Sequence, residues 1–211
     1  MLLLAAASLL MLPGLQSGSI EPSFTAEMNP GGSAAVQVQL VVSPEGSAVS
    51  CTRAFANGPD SNVDAFCAML RTRNRYAPAR DASGRPAYGV AYLWSHWTKG
   101  KWTGSDVPSW NSPDLSLTVN RMPAGFEEGS LFRIALQVNA AGAVEACAAA
   151  MPGLASAVED FLCREAAAGA VAPATDGQGR AVARVQEYLV RLTSKAHSDK
   201  VMKQIRRLER R

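Results

Sequence analysis

The residues in this 211-residue chain whose type and spacing are best suited to chemistry are four cysteines. Cys51 is followed by Cys67 and Cys147 by Cys163, so both pairs are sixteen positions apart. These thiols could form disulfides, bind zinc or act as nucleophiles. Zinc ribbons use closely spaced Cys-x2-Cys pairs, which this sequence lacks. An even count favours disulfides if the chain is exported, although the count alone allows three pairings.

Other catalytic groups are few. The sequence holds two histidines, His96 and His197, and none of the motifs that mark a serine nucleophile, a zinc protease or a phosphate-binding glycine loop. Asp64 and Asp160 recur at matching positions, but a carboxylate near a helix start is explained by the helix dipole. We therefore expect a protein that is not an enzyme and that uses no metal or cofactor.

Residues 1–19 have the composition of a signal peptide. An apolar run from Leu2 to Leu12 is followed by Pro13, Gly14 and small residues. This run of eleven residues, ten of them apolar, is too short to span a bilayer, which needs about 20, but it suits the core of an export signal. We predict cleavage near Ser17 to Ser19. The alternative is a buried N-terminal helix.

The cysteine spacing belongs to a wider internal repeat. Gly46 and Gly142 each precede a first cysteine by five residues, and alternating apolar residues precede each glycine. After each second cysteine comes Pro-Ala-x-Asp-x-x-Gly-Arg, beginning at Pro78 and at Pro173. The matches are 96 positions apart before the helices and 95 after them. A repeat of this kind predicts two copies of one structural unit.

Each copy has the pattern strand, strand, helix, strand. Residues alternate with period two in the strands, as in Val36, Val38, Leu40 and Val42, and "DSNVDAFCAMLRTR" spaces its apolar residues as a helix does. If Cys51 faces this helix, Cys67 is within its reach. We therefore predict the disulfides Cys51–Cys67 and Cys147–Cys163 in an α+β fold, each copy a small antiparallel sheet covered by one helix.

Residues 36–94 resemble the C-terminal domain of TonB, a periplasmic energy transducer of Gram-negative bacteria. The resemblance is carried by the Gly-turn hairpin, Asp64 in the helix and the connector residues Tyr76, Pro78 and Ala79. It implies that the domain binds an extended segment of an outer-membrane receptor by adding it to a sheet edge. In that family a single such domain follows a membrane-spanning helix and a Pro-rich linker. The present sequence shows neither segment and has two copies of the domain, so we do not expect coupling to an inner-membrane motor.

The resemblance places the partner-binding edge on the third strand of the first copy, at Tyr88, Val90, Tyr92 and Trp94. An exposed strand edge is a template for another chain. Two alternatives stay open at this point. The two copies could pair these edges with each other, or the aromatic residues could belong to the core.

Two further segments could contact other molecules. Trp94, Trp97, Trp102 and Trp110 cluster in seventeen residues and form either a stacking surface or a wedge between the copies. Residues 195–211 hold three Lys and four Arg against two acidic residues, a net charge of +5, which leaves −2 for the rest of the chain. Such a basic helix suits an anionic membrane surface, or is a frayed terminus. Basic charge confined to the tail does not favour nucleic-acid binding.

We therefore predict a non-enzymatic protein, periplasmic or secreted in a Gram-negative bacterium, that binds an envelope protein by strand addition. The alternative is a structural adaptor or pseudo-dimer that contacts envelope glycan or lipid through its Trp-rich segment and tail. The predicted divisions are a signal peptide at 1–19, TonB-like modules at 30–95 and 130–193, a Trp-rich linker at 96–129 and a basic tail at 194–211.

Overall fold

The computed structural model describes residues 10–15, 33–57, 60–73, 76–98, 101–104 and 113–208. They form an α+β fold with one large sheet and three helices. In the first half of the chain the elements are β1 Gly14–Leu15, β2 Ser33–Val42, β3 Ala48–Asn57, α1 Asp60–Arg73, β4 Tyr76–Ala77, β5 Ala79–Arg80, β6 Pro86–Thr98 and β7 Lys101–Gly104. In the second half they are β8 Leu115–Val119, β9 Leu131–Val138, β10 Val144–Ala149, α2 Ser156–Ala167, β11 Ala174–Thr175, β12 Ala181–Val182, β13 Arg184–Ser194 and α3 Lys195–Leu208.

Strands from both halves join one nine-stranded sheet. Its central order is β10-β9-β13-β6-β2-β3, with β5 and β7 attached to β6 and β8 attached to β13. The halves meet where β13 pairs in parallel with β6, with Arg184 opposite Tyr88 and Gln186 opposite Val90. The sequence predicts a separate small sheet for each half. The structure instead has one continuous sheet, because the third strands of the two halves use up part of each other's edge.

The helices α1 and α2 lie on opposite faces of this sheet. Residues paired across neighbouring strands share a face, and one such row runs through Val42, Gly89, Val185 and Gln137. Val42 on this row packs into the core beneath α1. The next row of paired residues faces the opposite side of the sheet. It includes Leu136, which packs beneath α2. Each helix therefore covers its own half of the sheet on one side only.

The predicted alternation produces both cores. The inward residues of β2 and β9 are each 0% exposed and contact the helix of their own half: Val36, Val38, Leu40 and Val42 in one, and Phe132, Ile134, Leu136 and Val138 in the other. Both predicted disulfides are present, with a Cα separation of 5.6 Å in each. Each disulfide joins the outer strand of its half, β3 or β10, to the covering helix.

The connectors after α1 and α2 cover the sheet face that the helix of the other half leaves bare. Ala79 in the first connector packs with Ala135 and Val185 of the second half. Ala174 in the second connector packs with Val41 and Val90 of the first half. The two halves are therefore packed together by their connectors as well as by the β6–β13 pairing.

The structure also describes parts of the predicted linker, the basic tail and the predicted signal peptide. The predicted linker contains strand β8, which pairs in parallel with β13. The basic tail forms α3, a helix of 14 residues. None of the helices described here has the length and apolar character that crossing a membrane requires. Most of the predicted signal peptide, at 1–9 and 16–19, lies outside the described residues, as do Trp110 and residues 209–211.

Candidate functional site

The predicted partner-binding strand lies inside the sheet. Strand β6 pairs with β2 on one side from Gly89 to Thr98, and on its other side Tyr88 to Val90 pair with β13. The same side pairs with β7 from His96 to Thr98. Val90 is 1% exposed and Trp94 is 8% exposed, while Tyr88 and Tyr92 are partly buried. The two halves thus pair part of these edges with each other, and Trp94 is buried, as the two alternatives to partner binding expect. The partner-binding role of these four residues stays a prediction.

The sheet offers two outer strands, β3 and β10. Strand β3 pairs only with β2 within the described chain, and four consecutive residues, Thr52 to Phe55, are exposed. Register shifts on either side leave a regular stretch from Ser50 to Arg53. In contrast, β10 is shorter, and its last N–H, that of Ala149, donates to the Glu159 carboxylate of α2 at 2.7 Å. Strand β3 is the longer outer strand, and its Cys51 carbonyl accepts a hydrogen bond from the Arg71 guanidinium of α1 at 3.2 Å.

The connector residues of the predicted family motif are structural. Tyr76 is 3% exposed, its hydroxyl donates to the Leu70 carbonyl at 3.0 Å, and its N–H donates to the Gly46 carbonyl at 3.1 Å. Ala79 is 0% exposed at the contact between the halves. Pro78 lies between them and is partly buried. The motif thus fixes the end of α1 against the β2–β3 turn, and it positions the connector over the second half.

The Asp-x-x-Gly-Arg sequence in the connector forms a tight turn. One Asp81 carboxylate oxygen accepts hydrogen bonds from the N–H groups of Ser83 and Arg85, and the other pairs with the Arg85 guanidinium at 3.0 Å. The hydrogen bond from the Ser83 hydroxyl, with those from Arg85, lowers the Asp81 pKa to about 2. Gly84 adopts a φ of 81°, which favours glycine. The aspartate and arginine are thereby explained without a catalytic role.

The second connector repeats this turn. Asp176 accepts from the N–H groups of Gln178 and Arg180 and pairs with the Arg180 guanidinium at 2.8 Å. Burial acts to raise the Asp176 pKa, but the hydrogen bonds from Arg180 and Gln178 outweigh it and the net shift is downward. The same residue types thus make the same turn 95 positions later.

A polar cluster lies where β6 and β8 separate along β13. Tyr92 accepts a hydrogen bond from the Gln39 amide at 3.0 Å, and the Asp114 carboxylate accepts one from the Leu189 N–H at 2.7 Å. Burial raises the pKa of Tyr92 and that of Asp114. Since each group already has a partner, the cluster is satisfied, and it terminates the pairing between β6 and β13.

Residues 10–15 lie against the sheet as an extended segment. The Met11 N–H donates to the Arg80 carbonyl at 3.1 Å, and the Arg80 N–H donates back to Met11 at 3.0 Å. Further along, Gly14 pairs with Ala77 and Leu15 with Tyr76 in an antiparallel ladder. Leu10 and Leu12 pack on the cluster formed by Ala79, Ala87, Ala135, Ala150 and Val185. The end of the predicted signal peptide therefore occupies a defined surface here.

The remaining candidate groups are dispersed. His96 is on β6 and His197 is on α3. The backbone N–H of His197, in the first turn of α3, donates to the Ser194 hydroxyl oxygen at 3.2 Å. In the part of the chain that the structure describes, no three His, Cys, Asp or Glu side chains are grouped to hold a metal ion. The side chains of Trp97 and Trp102 lie outside the description, so the stacking surface predicted for the tryptophans stays a prediction.

Sequence reasoning missed two equivalent positions of the repeat, of which the first lies beneath residues 10–15. Gly89 on β6 contacts Pro13 closely, since a Cβ built on it lies 2.7 Å from the proline Cγ. Arg184 occupies the corresponding position of the second half, 95 residues later, and is only 2% exposed. Alignment of the two copies shows this glycine-to-arginine difference, so the signal is present in the sequence.

No known protein family, curated protein or solved structure matches this chain.

Proposed function

We propose that this chain is an exported, non-enzymatic protein of the Gram-negative periplasm that binds an extended segment of an envelope protein by strand addition. The proposal follows the resemblance to the TonB C-terminal domain, and it assigns the chain two tandem units of that kind, 30–95 and 130–193. The two disulfides are compatible with an oxidising compartment.

Recurring backbone contacts support the interpretation as two related units. The N–H of Tyr76 donates to Gly46, and the N–H of Val171, 95 positions on, donates to Gly142, both at 3.1 Å. A Cβ built on Gly46 would lie 2.4 Å from the Tyr76 carbonyl oxygen, and one built on Gly142 would lie 2.3 Å from the Val171 carbonyl oxygen. Since these are details of backbone geometry, they are expected from duplication of one folding unit.

The observation that carries strand addition is the outer edge of β3, where a partner strand would displace the exposed Arg71 side chain from the Cys51 carbonyl. Its regular stretch, Ser50 to Arg53, spans four residues between two register shifts, so a partner strand there is short. The Cys51–Cys67 disulfide holds this stretch against α1, which reduces the entropy lost when a partner binds. A rigid, short edge suits a short extended segment and disfavours uncontrolled pairing with long strands.

The test is photo-crosslinking in the periplasm. A photoreactive amino acid replaces Thr52 on β3 or, as a control in the other half of the sheet, Glu127 in the loop before β9; both positions are exposed. We expect the Thr52 position to crosslink an envelope protein through one extended segment, identified by mass spectrometry, and the Glu127 position to give no such product. Equal crosslinking from both positions, or none from Thr52, would contradict strand addition at β3.

A second candidate function, contact with an anionic envelope surface, is favoured by the exposed side of α3. Val201 is 38% exposed and Met202 is 49% exposed, and they lie between Lys200 and Lys203. Apolar side chains beside lysines can insert at a lipid headgroup boundary. Cosedimentation with anionic vesicles, compared with a Val201→Ser/Met202→Ser variant, measures this contribution.

A further inference from the structure

The surface beneath residues 10–15 is a groove made of small side chains. Ala79, Ala87, Ala135 and Ala150 line it together with Val185, and Leu10 and Leu12 pack on them at alternate positions. Beside the segment, the groove continues as an open cavity of about 460 Å³, bounded on its far side by residues 149–152. The groove therefore takes apolar side chains from every second residue of an extended strand, with room for side chains larger than leucine.

Backbone groups hold the segment in register. Met11 exchanges two hydrogen bonds with Arg80, and Gly14 and Leu15 pair with Ala77 and Tyr76. Backbone bonds of this kind depend little on sequence, whereas the side-chain sites at alternate positions select the strand. The occupant seen here has the pattern apolar-x-apolar-Pro, formed by Leu10, Leu12 and Pro13.

Gly89 makes room for the proline. A Cβ at this position would lie 2.7 Å from the Pro13 Cγ and 2.8 Å from the Ala79 Cβ, closer than real atoms approach. Any other residue at this position would intrude on the space that Pro13 fills. Gly89 therefore allows both Ala79 of the connector and Pro13 of the extended segment to lie close to β6.

The second half shows the same position closed. Arg184 stands where the repeat places Gly89, and its guanidinium donates to the Ala172 carbonyl and, at 2.8 Å, to the Gln186 side chain. Ala172 corresponds to Ala77, the residue that pairs with Gly14 in the first half. In the second half the arginine side chain thus stands where Gly89 leaves space in the first, and it hydrogen-bonds the connector carbonyl of Ala172. One half has an open groove and the other fills its own.

We propose that the groove over Gly89 is a binding site for an extended apolar-x-apolar-Pro segment of a partner protein, which takes the place of residues 10–15 once these are removed on export. This inference rests on the proposed function, since it requires cleavage of the signal. It adds a second strand-binding site, distinct from the β3 edge and specific in sequence.

The test uses the chain recovered from the periplasm after export from its own N-terminus, with its intact mass recorded. The probe is a fluorescent peptide of residues 8–17, SLLMLPGLQS, titrated by fluorescence anisotropy. We expect binding that weakens at least tenfold in the Leu12→Asp peptide, because a charge would enter an apolar groove. The Gly14→Ala peptide is the matched control and binds within twofold, because nothing lies within 4 Å of a Cβ built there.

A protein variant gives an independent reading. Gly89→Arg copies the second half and is expected to abolish peptide binding while both disulfides form. Since Ala79 also contacts this position, the peptide variants carry the test if Gly89→Arg does not fold. The inference is overturned if the cleaved chain does not bind the wild-type peptide, or binds the Leu12→Asp peptide equally well.

The outcome separates this inference from the proposed function. Crosslinks from Thr52 together with absent peptide binding would remove the groove alone. A periplasmic chain that retains residues 1–19 would likewise remove the vacated groove and leave the β3 edge to be judged by its crosslinks. A chain that stays uncut in the cytoplasm would remove both.

Discussion

At the scale of single residues, the carboxylate of Asp81 shows how a repeated motif can be structural. Its hydrogen bonds to Ser83 and Arg85 stabilise the ionised form, which is why its pKa falls from 3.8 to about 2. The sequence draws attention to this aspartate and arginine because they recur at Asp176 and Arg180. The structure explains the recurrence by turn geometry, since both aspartates accept from the N–H groups two and four residues on and from the same arginine side chain; only Asp81 also accepts from a serine hydroxyl.

The depressed pKa of Asp81 predicts a specific pH dependence. A group whose pKa is lower in the folded state stabilises the fold above its unfolded pKa and loses that contribution as the pH falls through the folded pKa. Wild type is therefore expected to exceed Asp81→Asn in free energy of unfolding at pH 7, with the difference disappearing between about pH 4 and pH 2. Urea denaturation at several pH values measures it. A difference that stays constant down to pH 2 would refute the assignment.

At the scale of elements, the hairpin turns and the connectors depend on each other. Gly142 has a φ of 89°, and a Cβ there would lie 2.3 Å from the Val171 backbone oxygen. The Val171 N–H also donates to Gly142. The glycine is therefore required twice, once for its backbone conformation and once for the close approach of the connector.

A matched pair of glycines separates these two requirements. Gly125 has a similar φ of 84° but nothing within 4 Å of a built Cβ. We expect Gly125→Ala to cost about 1 kcal/mol, from the left-handed backbone alone, and Gly142→Ala to cost about 3 kcal/mol or more, because the connector must also move. Thermal and urea unfolding give both values. Equal costs would show that the contact with Val171 does not constrain the turn.

Much at this scale could be predicted from sequence. The periodicity of "DSNVDAFCAMLRTR" predicts α1 with its observed bounds, and the alternation in β2 and β9 predicts their buried faces. Both disulfides are confirmed. These features depend on local patterns within one copy, which the sequence displays directly.

At the scale of the whole molecule, prediction from sequence is limited to the units and does not extend to their arrangement. The parallel pairing of β6 with β13 joins residues about 95 positions apart, and no local pattern specifies it. A partial signal exists, because "AYGVAYLW" is apolar at nearly every position, as in strands covered on both faces. The crossing of each connector to the opposite half likewise depends on tertiary packing.

The arrangement also explains why a groove exists between the halves. Each connector covers the bare sheet face of the other half, and the space left beside it is filled by Arg184 in one case and by residues 10–15 in the other. A symmetric assembly would have closed both sites or left both open. The difference at Gly89 and Arg184 confines a groove to one face.

Both binding proposals depend on export, so one measurement tests the account most directly: the intact, non-reduced mass of the chain in a periplasmic fraction, followed by disulfide mapping. The account predicts a chain that begins between residues 18 and 20 and contains Cys51–Cys67 and Cys147–Cys163. A full-length chain confined to the cytoplasm, with four free thiols, would contradict export, disulfide formation and the vacated groove together.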